Sequence, residues 1–222
     1  MMMLKCLAEG STGNCWILKH DDEILLLDCG IPAKKIKQGI DYNLISVQGV
    51  CQTHWHKDHS LAFNDLVNMG LRVFSPTEPN ELRKFGSFTV QSFSVPHGET
   101  PCFGFYIKVA GHKLIYATDF EFIPLTFKKQ ELDTMIIEVN YQDKFVDREA
   151  SNFDHKVLHH CELKTAIGIV EANLTDKLKN VIITHMGETT CDSNECVAEI
   201  KKVVPDKTIV DYAQTGRTWY LD

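Results

Sequence analysis

The chain has no C-x-x-C pair, although it carries eight cysteines, at positions 6, 15, 29, 51, 102, 161, 191 and 196. Thiols scattered in this way suggest neither a zinc ribbon nor a disulfide scaffold, and most are expected to be reduced and buried. Cys191 and Cys196 lie close to a histidine, and two readings stay open for them: a metal-binding pair, or a loop thiol beside a helix thiol. No apolar run is long enough to span a bilayer, and Met1 to Lys5 do not begin a signal peptide, so a soluble cytoplasmic protein without membrane contact is expected. A basic face is also missing. Twenty-three Lys and Arg against 30 Asp and Glu give a net charge of −7, and Lys34-Lys35, Lys128-Lys129 and Lys201-Lys202 are short and separated. A nuclease would have to gather a positive patch in three dimensions, so the charge balance leans toward a small charged substrate. Proline-rich or serine-rich linkers, low-complexity runs and strong repeats are absent, which points to a single domain over residues 1–222. Its 44% hydrophobic content suffices for a core.

The apolar pattern opens as a β-meander: Leu4 to Leu7, Cys15 to Lys19 and Glu23 to Leu27 read as strands separated by Gly10-Ser11-Thr12-Gly13-Asn14 and His20-Asp21-Asp22. The first of these turns is no P-loop, because no Gly-Lys-Ser/Thr follows it. Val47 to Thr53 reads as a strand, and 61–69 as a helix ended by Gly70. Further strands are expected at Val73-Phe74, 88–95, 103–109, 113–117 and 135–139, with a tight turn through Ala110-Gly111-His112. Beyond them helices over 163–174 and 193–203, the latter capped by Ser193 or Asn194, alternate with strands at 181–184 and 208–212. A strand-rich start followed by α/β alternation suits two packed sheets with helices outside.

The densest chemistry lies in Thr53-His54-Trp55-His56-Lys57-Asp58-His59, three imidazoles and a carboxylate directly after an apolar strand. Alternation along a strand presents the two imidazoles of His-x-His on one side, and a following turn swings Asp58 and His59 toward them. Such a cluster suits one metal ion or two. Three more ligand types share its placement at a strand end: His97 after Val95-Pro96, Asp119 after Leu114 to Thr118, and His185 after Val181 to Thr184.

With these residues in place the sequence resembles the metallo-β-lactamase-fold hydrolases. His54, His56, Asp58 and His59 read as H-x-H-x-D-H, and Leu27-Asp28-Cys29-Gly30 is similar to the early Asp-x-Gly motif. Val95-Pro96-His97-Gly98, Ala117-Thr118-Asp119-Phe120 and Ile183-Thr184-His185 match the later metal motifs in order. The resemblance implies a four-layer αββα sandwich. In it His54, His56 and His97 would hold one metal, Asp58, His59 and His185 the other, and Asp119 would bridge both, with Asp28 orienting the histidine loop. Within the superfamily the chain is similar to the YycJ/WalJ-like branch, related to tRNase Z and other phosphodiesterases. Gly10 to Asn14 resembles its Gly-Ser-Ser-Gly-Asn turn, Glu138-Val139-Asn140 its Glu-x-Asn, and Ala213-Gln214-Thr215-Gly216 its C-terminal motif. His160 falls where that branch has Gly-His-Leu-Ser, a histidine that contacts the phosphate or protonates the leaving oxygen. Here the segment reads His159-His160-Cys161-Glu162, so His155, His159 and His160 all stay candidates.

The implied activity is a dinuclear, metal-dependent phosphodiesterase acting on nucleic acid or nucleotides. Two divalent ions about 3.5–4 Å apart make a bridging hydroxide at neutral pH, to which Asp58 contributes by holding the second ion, and His160 supplies the proton. The ligand set favours zinc and admits manganese or iron. The alternatives are a cyclic-nucleotide phosphodiesterase of phage anti-defence type, a lactonase or thioesterase, a β-lactamase, and a non-catalytic module stabilised by its metals. Dimers are common in the phosphodiesterase branch, which brings a homodimer into consideration.

Overall fold

The structure, a computed structural model, describes residues 1–151 and 153–221. Its first half contains strands β1 (Met2–Ala8), β2 (Cys15–His20) and β3 (Glu23–Leu27), helix α1 (Ala33–Gly39), strand β4 (Val47–Cys51), helices α2 (Lys57–Ser60) and α3 (Phe63–Asn68), and strands β5 (Val73–Phe74), β6 (Leu82–Phe85), β7 (Phe88–Val95) and β8 (Cys102–Val109). Then follow β9 (His112–Ala117), β10 (Thr134–Glu138), helices α4 (Phe153–His159) and α5 (Leu163–Asn173), β11 (Asn180–Thr184), α6 (Ser193–Lys201), β12 (Ile209–Tyr212) and β13 (Thr218–Tyr220). The strands make a six-stranded sheet ordered β13-β1-β2-β3-β4-β5 and a seven-stranded sheet ordered β12-β11-β10-β9-β8-β7-β6. Contacts divide the chain into two compact units: Met1–Phe93, Phe105–Gly111 and Ala213–Asp222 in the first, Ser94–Gly104 and His112–Tyr212 in the second.

In the first unit β13, β1, β2 and β3 pair antiparallel, and β3, β4 and β5 pair parallel. The expected meander is therefore present. A parallel pair needs a crossover, and α1 supplies it between β3 and β4. Nothing in the sequence pattern had pointed to α1, which starts behind Pro32 and buries only Ala33 and Ile36. Those two side chains join Ile17, Leu26, Val50 and Leu66 in one core cluster. The helix expected over 61–69 is present but shorter, as α3 over Phe63–Asn68, with Ala62 at its N-cap donating its N–H to Cys29 O at 2.9 Å and α2 a separate turn before it. Leu61, Val67 and Met69 are 38–45% exposed, whereas Ala62 and Leu66 are buried. Strand β6, also unforeseen, forms a hairpin with β7 through Gly86, whose φ is +55°.

In the second unit β9, β10, β11 and β12 run parallel. Every residue of β10 and β11 is buried, as parallel strands covered on both faces should be. Leu163, Ala166, Ile169 and Val170 of α5 and Cys196 and Ile200 of α6 are buried too. Asp192 caps α6 by accepting from Glu195 N at 3.0 Å, not Ser193 or Asn194, which lie inside the first turn. The register aligns Ala117, Ile137 and Ile183, so the carboxyl ends of β9, β10 and β11 share one rim. Carboxyl ends of parallel strands are where such sheets place their ligands.

Candidate metal centre

In the first unit Leu27 and Cys51 are register partners, so Asp28 and Thr53 emerge together past the ends of β3 and β4. Strand β4 stops at Cys51, and His54-Trp55-His56 belongs to the loop after it rather than to the strand expected there. Asp28 is fully buried with φ +58°. A residue other than glycine in that region carries strain that its surroundings must hold. The Asp28 carboxylate accepts from Thr53 N (2.8 Å) and Thr53 Oγ1 (3.0 Å), and Oδ2 lies 2.9 Å from His59 Nδ1. Thr53 Oγ1 also lies 3.0 Å from His54 Nδ1. The carboxylate only accepts, so the proton of His59 is assigned to Nδ1. Thr53 gives its hydroxyl proton to Asp28 and accepts from His54 Nδ1–H. Both histidines then offer Nε2 as a lone-pair donor, the tautomer a metal needs.

Around this hub His54 is 2% and His59 0% exposed, while His56 faces solvent. The His54 and His56 rings meet edge to face at 4.6 Å, and those of His54 and His59 lie 4.3 Å apart. Asp58 Oδ2 is 3.4 Å from His59 Nε2. The Gly10–Asn14 turn is fastened to this loop, since Asn14 N donates to Asp58 O at 2.7 Å and Asn14 Nδ2 lies 2.9 Å from His59 Nε2. Gly30 has no room for a side chain, because a Cβ there would fall 1.5 Å from Asp58 O.

The second unit repeats the design with Glu138 at the end of β10. This fully buried carboxylate accepts from Phe120 N at 2.9 Å through Oε2. Its Oε1 lies 2.7 Å from His160 Nδ1 and 3.0 Å from His185 Nδ1. Burial alone would raise the Glu138 carboxyl, but the charge and hydrogen bonds of His160 and His185 hold it below its ordinary value. His185 Nε2 is 3.1 Å from Asp119 Oδ1, and the His160 and His185 rings stack at 5.3 Å. One donor atom from each of Asp119, Glu138, His160 and His185 lies within 4.8 Å of the others. Asp119 and His185 both have left-handed backbone, with φ +55° and +52°.

His97 directs Nδ1 to His159 O at 2.8 Å, and burial pushes its pKa down to about 4. Gly98, at φ +55°, is needed because a Cβ would meet the His159 ring at 2.2 Å. His159 therefore supports His97 with its carbonyl, and its ring meets that of His97 edge to face at 5.1 Å. His160 is bonded to Glu138 and only 14% exposed. The side chain of His155 lies outside the described residues.

The structure thus gathers His54, His56, Asp58 and His59 in one unit, and His97, Asp119, His160 and His185 in the other. The hub role of Glu138 is absent from the sequence reading, although a charged residue closing the otherwise apolar Thr134–Glu138 strand was its signal. Thr53 carried none. Seven cysteines are buried, and no disulfide is present among the described residues. The Cys191 and Cys196 thiols hydrogen-bond each other, which lowers the pKa of Cys191 and raises that of Cys196. Neither belongs to a three-ligand cluster among the described residues, so the metal-pair reading is not supported.

Residues 8–69 match the sequence model described as the metallo-beta-lactamase superfamily. The chain is 23% identical to the exodeoxyribonuclease YycJ of Bacillus anthracis, over 81% of this chain and 80% of that protein. Among solved structures it is similar to the metallo-β-lactamase-fold protein YhfI of Bacillus subtilis, with a TM-score of 0.72 and 17% identity over 98% of both chains. It is also similar to the short form of human tRNase Z, with a TM-score of 0.67 and 14% identity over the whole of each. No described helix is long and apolar enough to cross a membrane.

Proposed function

Because this chain has the αββα metallo-β-lactamase fold, we propose that it is a dinuclear metal-dependent phosphodiesterase acting on nucleic acid or nucleotides. We read residues 1–222 as one domain, since each compact unit is assembled from separated stretches of chain. The observation that carries the metal assignment is the treatment of Nδ1. In His54, His59, His97 and His185 that atom is engaged by Thr53, Asp28, the His159 carbonyl and Glu138, which supports Nε2 as the atom that would face a metal, taking the place of Asn14 Nδ2 at His59. By family resemblance His54, His56, His97, Asp58, His59, Asp119 and His185 would hold the two ions, the first three one ion and Asp58, His59 and His185 the other. Imidazoles with carboxylates suit zinc and also admit manganese or iron. When bound, two such ions acidify water at neutral pH and stabilise charge on the phosphoryl oxygens.

The residues of the chain do the remaining work. Asp28 and Glu138 orient the imidazoles and fix their tautomers before any ion arrives. His160, its Nδ1–H held by the buried Glu138 carboxylate, keeps Nε2 directed away from that carboxylate and gives a proton from it to the leaving oxygen. The similarity to an exodeoxyribonuclease supports nucleic acid as substrate, whereas the net charge of −7 supports a nucleotide. Metal analysis of the purified protein is expected to give about two ions per chain. A panel of single-stranded DNA, RNA, bis-p-nitrophenyl phosphate and cyclic nucleotides should show phosphodiester hydrolysis that Asp119→Ala abolishes. Less than one ion per chain after zinc and manganese supplementation, or turnover of lactones alone, would overturn the assignment.

A further inference from the structure

We propose that Trp55 is a stacking platform for the nucleobase beside the scissile phosphodiester, with Lys57, Ser11 and Thr12 holding that nucleotide's phosphate. The substrate class rests on the phosphodiesterase reading; the geometry is independent of it. Trp55 is 60% exposed, whereas the other two tryptophans, Trp16 and Trp219, are 0% and 8% exposed. It belongs to the loop that carries His54 and His56, and its ring packs on Phe63 rather than on either imidazole.

The ring is also prepared for a partner. Phe63 supports it at a centroid distance of 4.7 Å and an interplanar angle of 59°. The backbone beneath is pinned, because Ser60 Oγ donates to Trp55 O (3.2 Å) and His56 O (2.9 Å). A large aromatic surface held still in water binds a flat partner at little entropic cost, and every base has a π face to offer.

Lys57 and Asp58, two and three residues further along the same loop, line a cavity of about 200 Å³ together with Ser11, Thr12, Gly30 and Leu61. Two hydroxyls and an exposed ammonium are donors suited to a phosphate, and Asp58, a proposed metal ligand, closes the same cavity. An aromatic platform and a phosphate pocket carried by one loop fit a nucleotide unit, not a lactone or a thioester.

Trp55 is the exposed tryptophan, so its emission reports the contact. Zinc-loaded full-length protein would be mixed by stopped flow with an octathymidylate or with an abasic strand of equal length and charge, reading the binding phase before turnover. Saturable quenching by the thymidylate, with the abasic strand binding roughly tenfold more weakly, is expected. Trp55→Ala should erase that preference and Trp55→Phe keep most of it. Lys57→Gln should lower the slope of log affinity against log salt by about 0.7. Equal affinity for the two strands, no binding of either, or a preference retained in Trp55→Ala would overturn the platform. So would burial of the indole by a second copy, seen as a blue shift that follows dimer formation in sedimentation and vanishes in Trp55→Ala. Hydrolysis of bis-p-nitrophenyl phosphate without base preference sinks the platform alone, whereas base-dependent quenching without phosphodiester hydrolysis sinks the catalytic reading alone.

Discussion

In each unit one buried carboxylate orients two imidazoles and one backbone N–H, yet the two hubs reach their partners differently. Asp28 serves groups that all lie between Thr53 and His59. Glu138 joins Phe120, His160 and His185, which come from three distant parts of the chain. The first hub needs one loop folded against one strand end. The second exists only when β9, β10 and β11 are in register and the segment after α4 is seated. A local cluster can therefore lose its hub and keep its ligands close by covalent connection, while a dispersed one depends on its hub for alignment.

The largest expected difference follows from removing charge at each hub. Asp28→Asn and Glu138→Gln should each weaken metal binding by roughly 10–100-fold, measured by competition with a chromophoric chelator, because each amide keeps a single acceptor oxygen and turns its NH2 toward a group that itself donates. Excess metal should restore turnover in Asp28→Asn, whose losses are confined to ligands. It should leave Glu138→Gln about 10³-fold slow in kcat, since His160 loses the carboxylate that holds its Nδ1–H and orients its ring. Full rescue of Glu138→Gln by metal would dissolve the distinction and remove His160 as the acid.

A smaller effect tests burial in the dispersed set through His97, whose pKa burial holds down near 4 against the ordinary value of about 6.5. Below pH 6.5 the unfolded chain takes up a proton there that the native chain refuses until about pH 4. Stability of the metal-free protein should therefore fall as pH drops through that window, by on the order of 2 kcal/mol. Urea midpoints at pH 7 and pH 4.5 would show it, and His97→Gln should flatten the slope. An unchanged slope in that variant would place the titration elsewhere.

Legibility in the sequence follows the same divide. His54, His56, Asp58 and His59 stand out because a short motif concentrates rare residue types, and His97, Asp119 and His185 because each ends an apolar strand. Strand positions were readable for a related reason: runs such as Leu114 to Ala117 and Val181 to Thr184 are apolar on both faces. What did not show was whatever depends on partners far along the chain. The amphipathic run at 61–69 did not show that Cys29 O takes the N–H of Ala62 and the helix starts only at Phe63, and α1 buries too few apolar side chains to announce itself. The hub at Glu138 is invisible until three strands align. Nor does any local pattern reveal that Asp28, Asp119 and His185 adopt left-handed backbone, because aspartate and histidine carry no such requirement.

That backbone gives the smallest effect and the most direct test of how the two sets are held. His59 lies within helix α2, whereas His185 follows β11 with φ +52°. In a helix glycine costs about 1 kcal/mol relative to alanine, while in the left-handed region alanine costs roughly 1–2 kcal/mol relative to glycine. In metal-free protein His59→Gly should thus be less stable than His59→Ala by about 1 kcal/mol, and His185→Gly more stable than His185→Ala by a similar amount. Comparing glycine with alanine at one site cancels the loss of the imidazole itself, leaving the backbone contribution. The same sign at both positions would mean that the dispersed ligand relaxes once its side chain is gone, so that the imidazole, through Glu138 and Asp119, imposes the strained backbone. Opposite signs would mean that the β11 rim imposes it and presents the ligand already turned toward its hub.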